Sequence, residues 1–121
     1  MKPIVRFDDK LLDKFSWFFT VGGISLFPYI ILREIYQTPE RRYAKARIIT
    51  HETIHFKQAL ELLVIPFYVL YILEFIIRFL FKWNFVKAYK SISFEREAYD
   101  NELNESYLEN RKLYSWIKYI I

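Results

Sequence analysis

The chain predicts a mainly α fold of the α+β kind, with one edge strand or short hairpin beside its helices. Three observations carry this expectation. Apolar residues recur at helical spacing in several segments, Thr38-Pro39-Glu40 makes a strong helix start, and the pair Gly22-Gly23 opens one extended apolar stretch. With 121 residues and 54% hydrophobic content there is material for a single domain, 1–121, with a real core.

Each element has its own signal. From Asp8 to Phe19 the residues Leu11, Leu12, Phe15, Phe18 and Phe19 follow a helical period, with Asp8 placed to cap. Ile24 to Arg33 reads as an edge strand, because Pro28 removes one ladder donor. A rival reading makes the uncharged run from Phe15 to Leu32 a membrane span, but Gly22, Gly23 and Pro28 weaken it as a helix. Thr38 can cap the next helix, Pro39 suits its first position, and Glu40 meets the positive end of its dipole. That helix runs to about Val64, where Pro66 either kinks it or opens the following one.

Leu62 to Leu73 is uncharged and mostly apolar. Tyr71, Glu74, Arg78 and Lys82 then form a narrow polar stripe, with Glu74 and Arg78 spaced for an i,i+4 pair. Ser93 to about Asn110 reads as a further helix and Lys112 to Ile121 as a short last one.

Composition bounds the function. An aromatic fraction of 21% and mean hydropathy of +0.04 are high for a soluble protein, yet 26% charged residues is too many for a bundle of membrane spans. A membrane-associated, interfacial protein fits both; the strongly apolar segment before Trp83 reads either as a core helix or as one lying in the bilayer interface with Phe67, Tyr68, Phe75, Phe79 and Trp83 as anchors. The net charge of +4 comes from short basic clusters such as Arg41, Arg42, Lys45 and Arg47, which suit an anionic membrane surface or a solvated helix face. There is no nucleic-acid motif, so nucleic acid is not an expected partner. The absence of cysteine excludes disulfides and thiolate metal sites. Asp8 and Asp9 fall where a secretory peptide has its apolar core, so no cleaved signal is expected.

Residues 51–55 read His-Glu-Thr-Ile-His, the HExxH pattern in which two imidazoles one turn apart project from one helix face onto a metal ion. Both histidines of the chain lie in it. Zinc is the expected ion, His51 and His55 two of its ligands, and Glu52 the base that takes a proton from the attacking water. A catalytic zinc needs a third protein ligand, and with no histidine left a carboxylate must supply it. Glu61 lies six residues after His55, where metzincins place a third histidine, but Gln58 stands where those proteins have a turn-forming glycine. Glu95 and Glu97 are the other candidates, about 200° apart on one helix, so both cannot face the ion.

Phe94-Glu95-Arg96-Glu97-Ala98-Tyr99 resembles the second-helix motif of gluzincins, the thermolysin-like and membrane-bound HExxH peptidases. The resemblance implies Glu95 as third ligand, with Ala98 allowing its helix to approach the zinc helix. Tyr99 stands where that family has an aspartate that orients a ligand histidine, a role left to Tyr99 or Asp100 here. Tyr107, Tyr89, Arg96 and Arg111 are candidates for oxyanion stabilisation, a role the family gives to a histidine or tyrosine.

At closer range the chain resembles a group of small uncharacterised bacterial HExxH proteins predicted to be membrane-associated. The carriers are Leu26-Phe27-Pro28, residues 51–58, Pro66-Phe67-Tyr68 with Tyr71 and Glu74, and residues 93–99 with Asn101-Glu102.

These resemblances imply a zincin-like core and hydrolysis of peptide bonds, with the edge strand pairing with an extended peptide or protein substrate. Gln58, one turn beyond His55, can orient a ligand, line the cleft or sit as a core glutamine. The rival is a non-catalytic metal-binding, membrane-associated scaffold protein, which a closed four-ligand site would favour. An intramembrane protease is opposed by Arg47, Glu52, Lys57 and Glu61 on the motif helix.

Overall fold

A computed structural model of the chain describes residues 1–16 and 21–121. Short runs rich in β-branched and aromatic residues form three strands, β1 (Ile4–Phe7), β2 (Gly23–Leu26) and β3 (Tyr29–Leu32). The sheet order is β1-β3-β2, with β1 parallel and β2 antiparallel to β3. The stretch from Ile24 to Arg33 is thus a hairpin turned at Phe27-Pro28, with β2 at the sheet edge and β3 in the centre. β1 escapes the sequence reading because its partner lies twenty-five residues on, Ile4 opposite Tyr29. A helical span over 15–32 is excluded, since residues 23–26 and 29–32 pair as strands; Phe18 and Phe19 lie outside the described residues.

Asp8 caps α1 (Asp9–Asp13), accepting from Leu11 N–H at 3.0 Å. Thr38 does not cap: its hydroxyl donates to the Ile35 carbonyl, and Pro39–Arg41 is a 3-10 turn that runs into α2 (Arg42–Glu61). Helix α2 ends earlier than Val64, because Leu63 and Val64 take positive φ of 63° and 71°. Pro66 then sits in the first turn of α3 (Ile65–Lys82). Helices α4 (Phe85–Ser91) and α5 (Ser93–Asn101) follow, and the expected helix to Asn110 is broken at 102–106 before the short α6 (Tyr107–Asn110). The C-terminal segment is a 3-10 turn, Ser115–Tyr119.

The molecule is mainly helical with a small three-stranded sheet. One core cluster joins sheet and motif helix, with Ile30 and Leu32 against Ile48. Helix α2 lies close on β2: a Cβ at Gly23 would come 2.7 Å from Ile48 Cγ2. A second cluster joins Ala59, Phe67, Ile92 and Phe94, which locks α5 beside α2 and α3. Among the described residues no single helix is long and apolar enough to cross a membrane.

Candidate metal centre

The i,i+4 spacing on α2 brings the imidazoles of His51 and His55 together, with ring centroids 4.9 Å apart. Helix α5 presents Glu95 to both. Glu95 Oε1 lies 2.9 Å from His51 Nε2 and 3.1 Å from His55 Nε2, and all three side chains are buried. The His55 contact lacks hydrogen-bond geometry, so that nitrogen is buried without a hydrogen-bond partner. Two ligands on one tetrahedral zinc stand ~3.3 Å apart. Two Nε2 atoms and one carboxylate oxygen, all within 4.8 Å of one another, are the donor chemistry such an ion takes. The residues present therefore fit zinc.

The far side of each ligand is held. His51 Nδ1 is 2.7 Å from Glu102 Oε2, and Glu102 also pairs with Arg47 at 3.3 Å. His55 Nδ1 is 2.8 Å from Gln58 Oε1, and Gln58 Nε2 donates to the Phe94 carbonyl and to Glu97 Oε1. Tyr71 donates its hydroxyl to Glu95 Oε2 at 2.5 Å. A partner on each Nδ1 fixes the rings with Nε2 turned to the shared point.

Electrostatics follow the geometry. Burial alone would lower the His51 pKa, but the bonds to Glu102 and Glu95 outweigh it and push it up to about 10. His55 is raised in spite of burial by the Glu95 charge. Burial works against the charge on Glu95, yet the two histidines hold its carboxyl well below the usual range. Glu52 behaves otherwise: burial raises its pKa and the neighbouring histidines only partly oppose that.

The expected residues separate cleanly. Glu97 points away and is fully buried, accepting from Arg111, Tyr107 and Gln58; burial would raise its pKa, but those bonds lower it. Glu61 takes two bonds from Arg111 at 2.9 and 3.0 Å, so it is neither a ligand nor free helix surface. Tyr99 packs its ring on His51 at 4.6 Å, while its hydroxyl lies 3.5 Å from that of Tyr89. Asp100 is exposed.

Glu102 fills the histidine-orienting place that the sequence reading left to Tyr99 or Asp100. The signal was there, since Glu102 lies seven residues and two helical turns beyond Glu95. Tyr71 was legible as part of the polar stripe and as a carrier of the resemblance, but its bond to Glu95 was not. Of the oxyanion candidates, Tyr107 and Arg111 are engaged by Glu97 and Arg96 by the Tyr119 and Ile121 carbonyls, whereas Tyr89 borders the site.

The cluster lies on the wall of a cleft of about 840 Å³. Glu52, Tyr68, Tyr71, Tyr89 and Tyr99 line the same cleft, as does the edge strand β2 through Gly23, Ile24, Ser25 and Leu26. Tyr68 ties α3 to this edge, accepting from Phe27 N–H at 2.9 Å and donating to the Ser25 carbonyl at 3.2 Å. Comparison of the chain with known protein families, curated proteins and solved structures finds no match.

Proposed function

We propose that the chain is a zinc-dependent peptidase of the HExxH type, resembling the gluzincins, that hydrolyses amide bonds of peptides laid in the cleft. The observation that carries this reading is that, among the described residues, His51, His55 and Glu95 converge as three donors in a cleft that Glu52 also lines. Three protein ligands leave a position for water, whereas a structural site is closed by a fourth, as the scaffold reading requires.

His51, His55 and Glu95 would hold the zinc, which when bound would supply a water of lowered pKa and polarisation of the scissile carbonyl. Glu52 takes the proton of the attacking water and hands it to the leaving amine. Its environment suits this role, because burial beside the two imidazoles raises its affinity for a proton. Glu102 and Gln58 hold the imidazoles, and Tyr71 holds Glu95 through its second oxygen. An extended substrate pairs with β2, on the part of the edge that Tyr68 leaves open toward Gly23.

The test is a quenched-fluorescent peptide library incubated with the zinc-loaded protein. Cleavage is expected in the wild type and lost in Glu52→Gln, which retains its zinc and its thermal transition because the amide keeps the carboxylate's shape but cannot accept the proton. An unchanged rate in Glu52→Gln would refute the base role.

A further inference from the structure

Helix α3 is amphipathic in the opposite sense to a helix that faces water. Its only charged residues before Lys82 turn inward. Glu74 accepts from Ser93 N–H at 2.7 Å and Ser93 Oγ at 2.6 Å, and Arg78 donates to Glu74 and to the Ile120 carbonyl. The outer face carries Val69, Ile72, Leu73, Ile76, Ile77 and Leu80, each between 47% and 58% exposed. A water-facing helix places its polar residues there, and a run of this length marks a contact surface.

Charge indicates what covers it. Lys82 is exposed at the end of this helix beside an exposed Trp83, and Lys87 and Lys90 are exposed on α4, the helix that follows, Lys90 over the ring of Tyr99. Between Leu62 and Tyr99 the acidic residues are Glu74, Glu95 and Glu97, and all three are engaged inside the fold. A second copy docked on the same face would add apolar area but no counter-charge from this segment. Anionic headgroups over an acyl layer supply both, with Trp83 at the level where indoles anchor.

The face also reaches the cleft. Ile72 belongs to the outer stripe and lines the cleft, as do Phe67, Tyr68 and Tyr71 of the same helix. The exposed lining residues are Phe15, Ile35, Ile72 and Tyr99, so the rim is apolar and aromatic. We propose that the outer face of α3 docks on an anionic phospholipid bilayer and brings the rim of the His51–His55–Glu95 cleft to the headgroup layer, so that the cleft takes peptide segments lying at that interface. The substrate clause rests on the peptidase reading; the docking does not.

The full chain is co-sedimented with vesicles of phosphatidylcholine alone and of phosphatidylcholine mixed with phosphatidylglycerol. Binding to the mixed vesicles is expected to be about tenfold stronger and to weaken with salt. The triple variant Leu73→Gln, Ile76→Gln, Leu80→Gln loses it while keeping its helical circular dichroism, and Lys82→Gln with Lys87→Gln loses the preference for anionic vesicles. Because the chain has no cysteine, a single polarity-sensitive dye can be placed on Ile72→Cys, where the docking face meets the rim. Its emission shifts to the blue on mixed vesicles, whereas a dye on Tyr43→Cys, at the opposite end of α2, does not shift.

His51→Ala with His55→Ala binds vesicles like the wild type, which separates failure of the docking from failure of the peptidase reading. Undiminished binding by the triple variant would overturn the docking. So would a dimer in free solution that the triple variant breaks, without vesicle binding, since the face would then belong to a second copy. Vesicle binding with no shift at Ile72→Cys would overturn the placement of the rim.

Discussion

Helices α2 and α3 are joined by three residues and break the ordinary rule of amphipathicity in opposite directions. Helix α2 buries His51, Glu52, His55 and Gln58, while α3 exposes a full face of Ile, Leu and Val. Neither choice serves stability. Each polar group taken from water costs about 1–3 kcal/mol unless it is bonded; His51 and Gln58 take partners from α5 and the turn after it, and His55 Nδ1 is bonded by Gln58 of its own helix. Each apolar side chain left about half in water on α3 forgoes about half of the 1.5–3 kcal/mol that full burial contributes. In one helix the departure gathers ligand atoms at one point, and in the other it leaves a surface for something outside the chain.

The comparison is broken most directly on α2. His51→Ala or His55→Ala is expected to lower zinc affinity on the order of a thousandfold, because two imidazoles are most of the donor set. Elemental analysis of the purified protein, expected to give about one zinc per chain in the wild type, checks this. Full occupancy in the double variant would sink the assignment.

The next largest effects separate two neighbouring acids on α5. Glu95→Ala should weaken zinc binding at least about tenfold, with Glu97→Ala and Glu61→Ala leaving it nearly intact. Glu97→Ala instead strips a buried partner from Arg111, whose side chain is 3% exposed, at a cost of about 3–5 kcal/mol. Chelator competition and thermal melting read the two quantities independently. Zinc loss in Glu97→Ala with none in Glu95→Ala would reverse the roles given to the pair.

Local chemistry explains what was legible in the chain. The motif spacing alone puts His51 and His55 on one face, Asp8 reads as a cap and is one, and Pro66 marks the start of α3. Glu95 was legible through a small residue three positions on, and Ala98 is indeed fully buried. What stayed hidden depends on contacts far apart in sequence. Glu102 meets His51 across fifty-one residues, β1 finds β3 across twenty-five, and Glu61 shares Arg111 with Glu97 across fifty. A charged residue in a sequence does not name its partner, so Glu61, Glu97 and Glu102 look alike until the fold pairs them. Of the polar stripe of α3, packing turns Tyr71, Glu74 and Arg78 inward and leaves Lys82 exposed; Phe67, Tyr68 and Phe75, expected as interfacial anchors, pack on the core, and Trp83 alone of those named is exposed.

Glu102 offers a finer test of α2. Glu102→Gln keeps the shape behind His51 and removes the charge that holds its Nδ1 proton, so zinc affinity should fall by about tenfold. Arg47 loses its partner too, but that pair is part-exposed and contributes little. An affinity equal to wild type would mean that His51 is fixed by packing against Tyr99 alone.

The smallest expected effect is the most telling for α3. A single substitution of Ile76 or Leu80 by Gln should change stability by no more than about 0.5 kcal/mol, because side chains about half exposed lose little burial when made polar. The same change at Phe67 would put an amide into a site that is 3% exposed, among Ala59, Ile92 and Phe94. That costs several kilocalories, on the order of 3–5 kcal/mol for the lost ring alone. All three residues are large and apolar, and they sit on one helix within about four turns of one another, so the element is shared between the variants. Only the direction each side chain faces differs. Thermal melts of Ile76→Gln, Leu80→Gln and Phe67→Gln in the absence of lipid therefore measure which side of α3 the fold itself uses. A large loss at Ile76 or Leu80 would mean that the outer face is already covered in solution, by a second copy of the chain rather than by water.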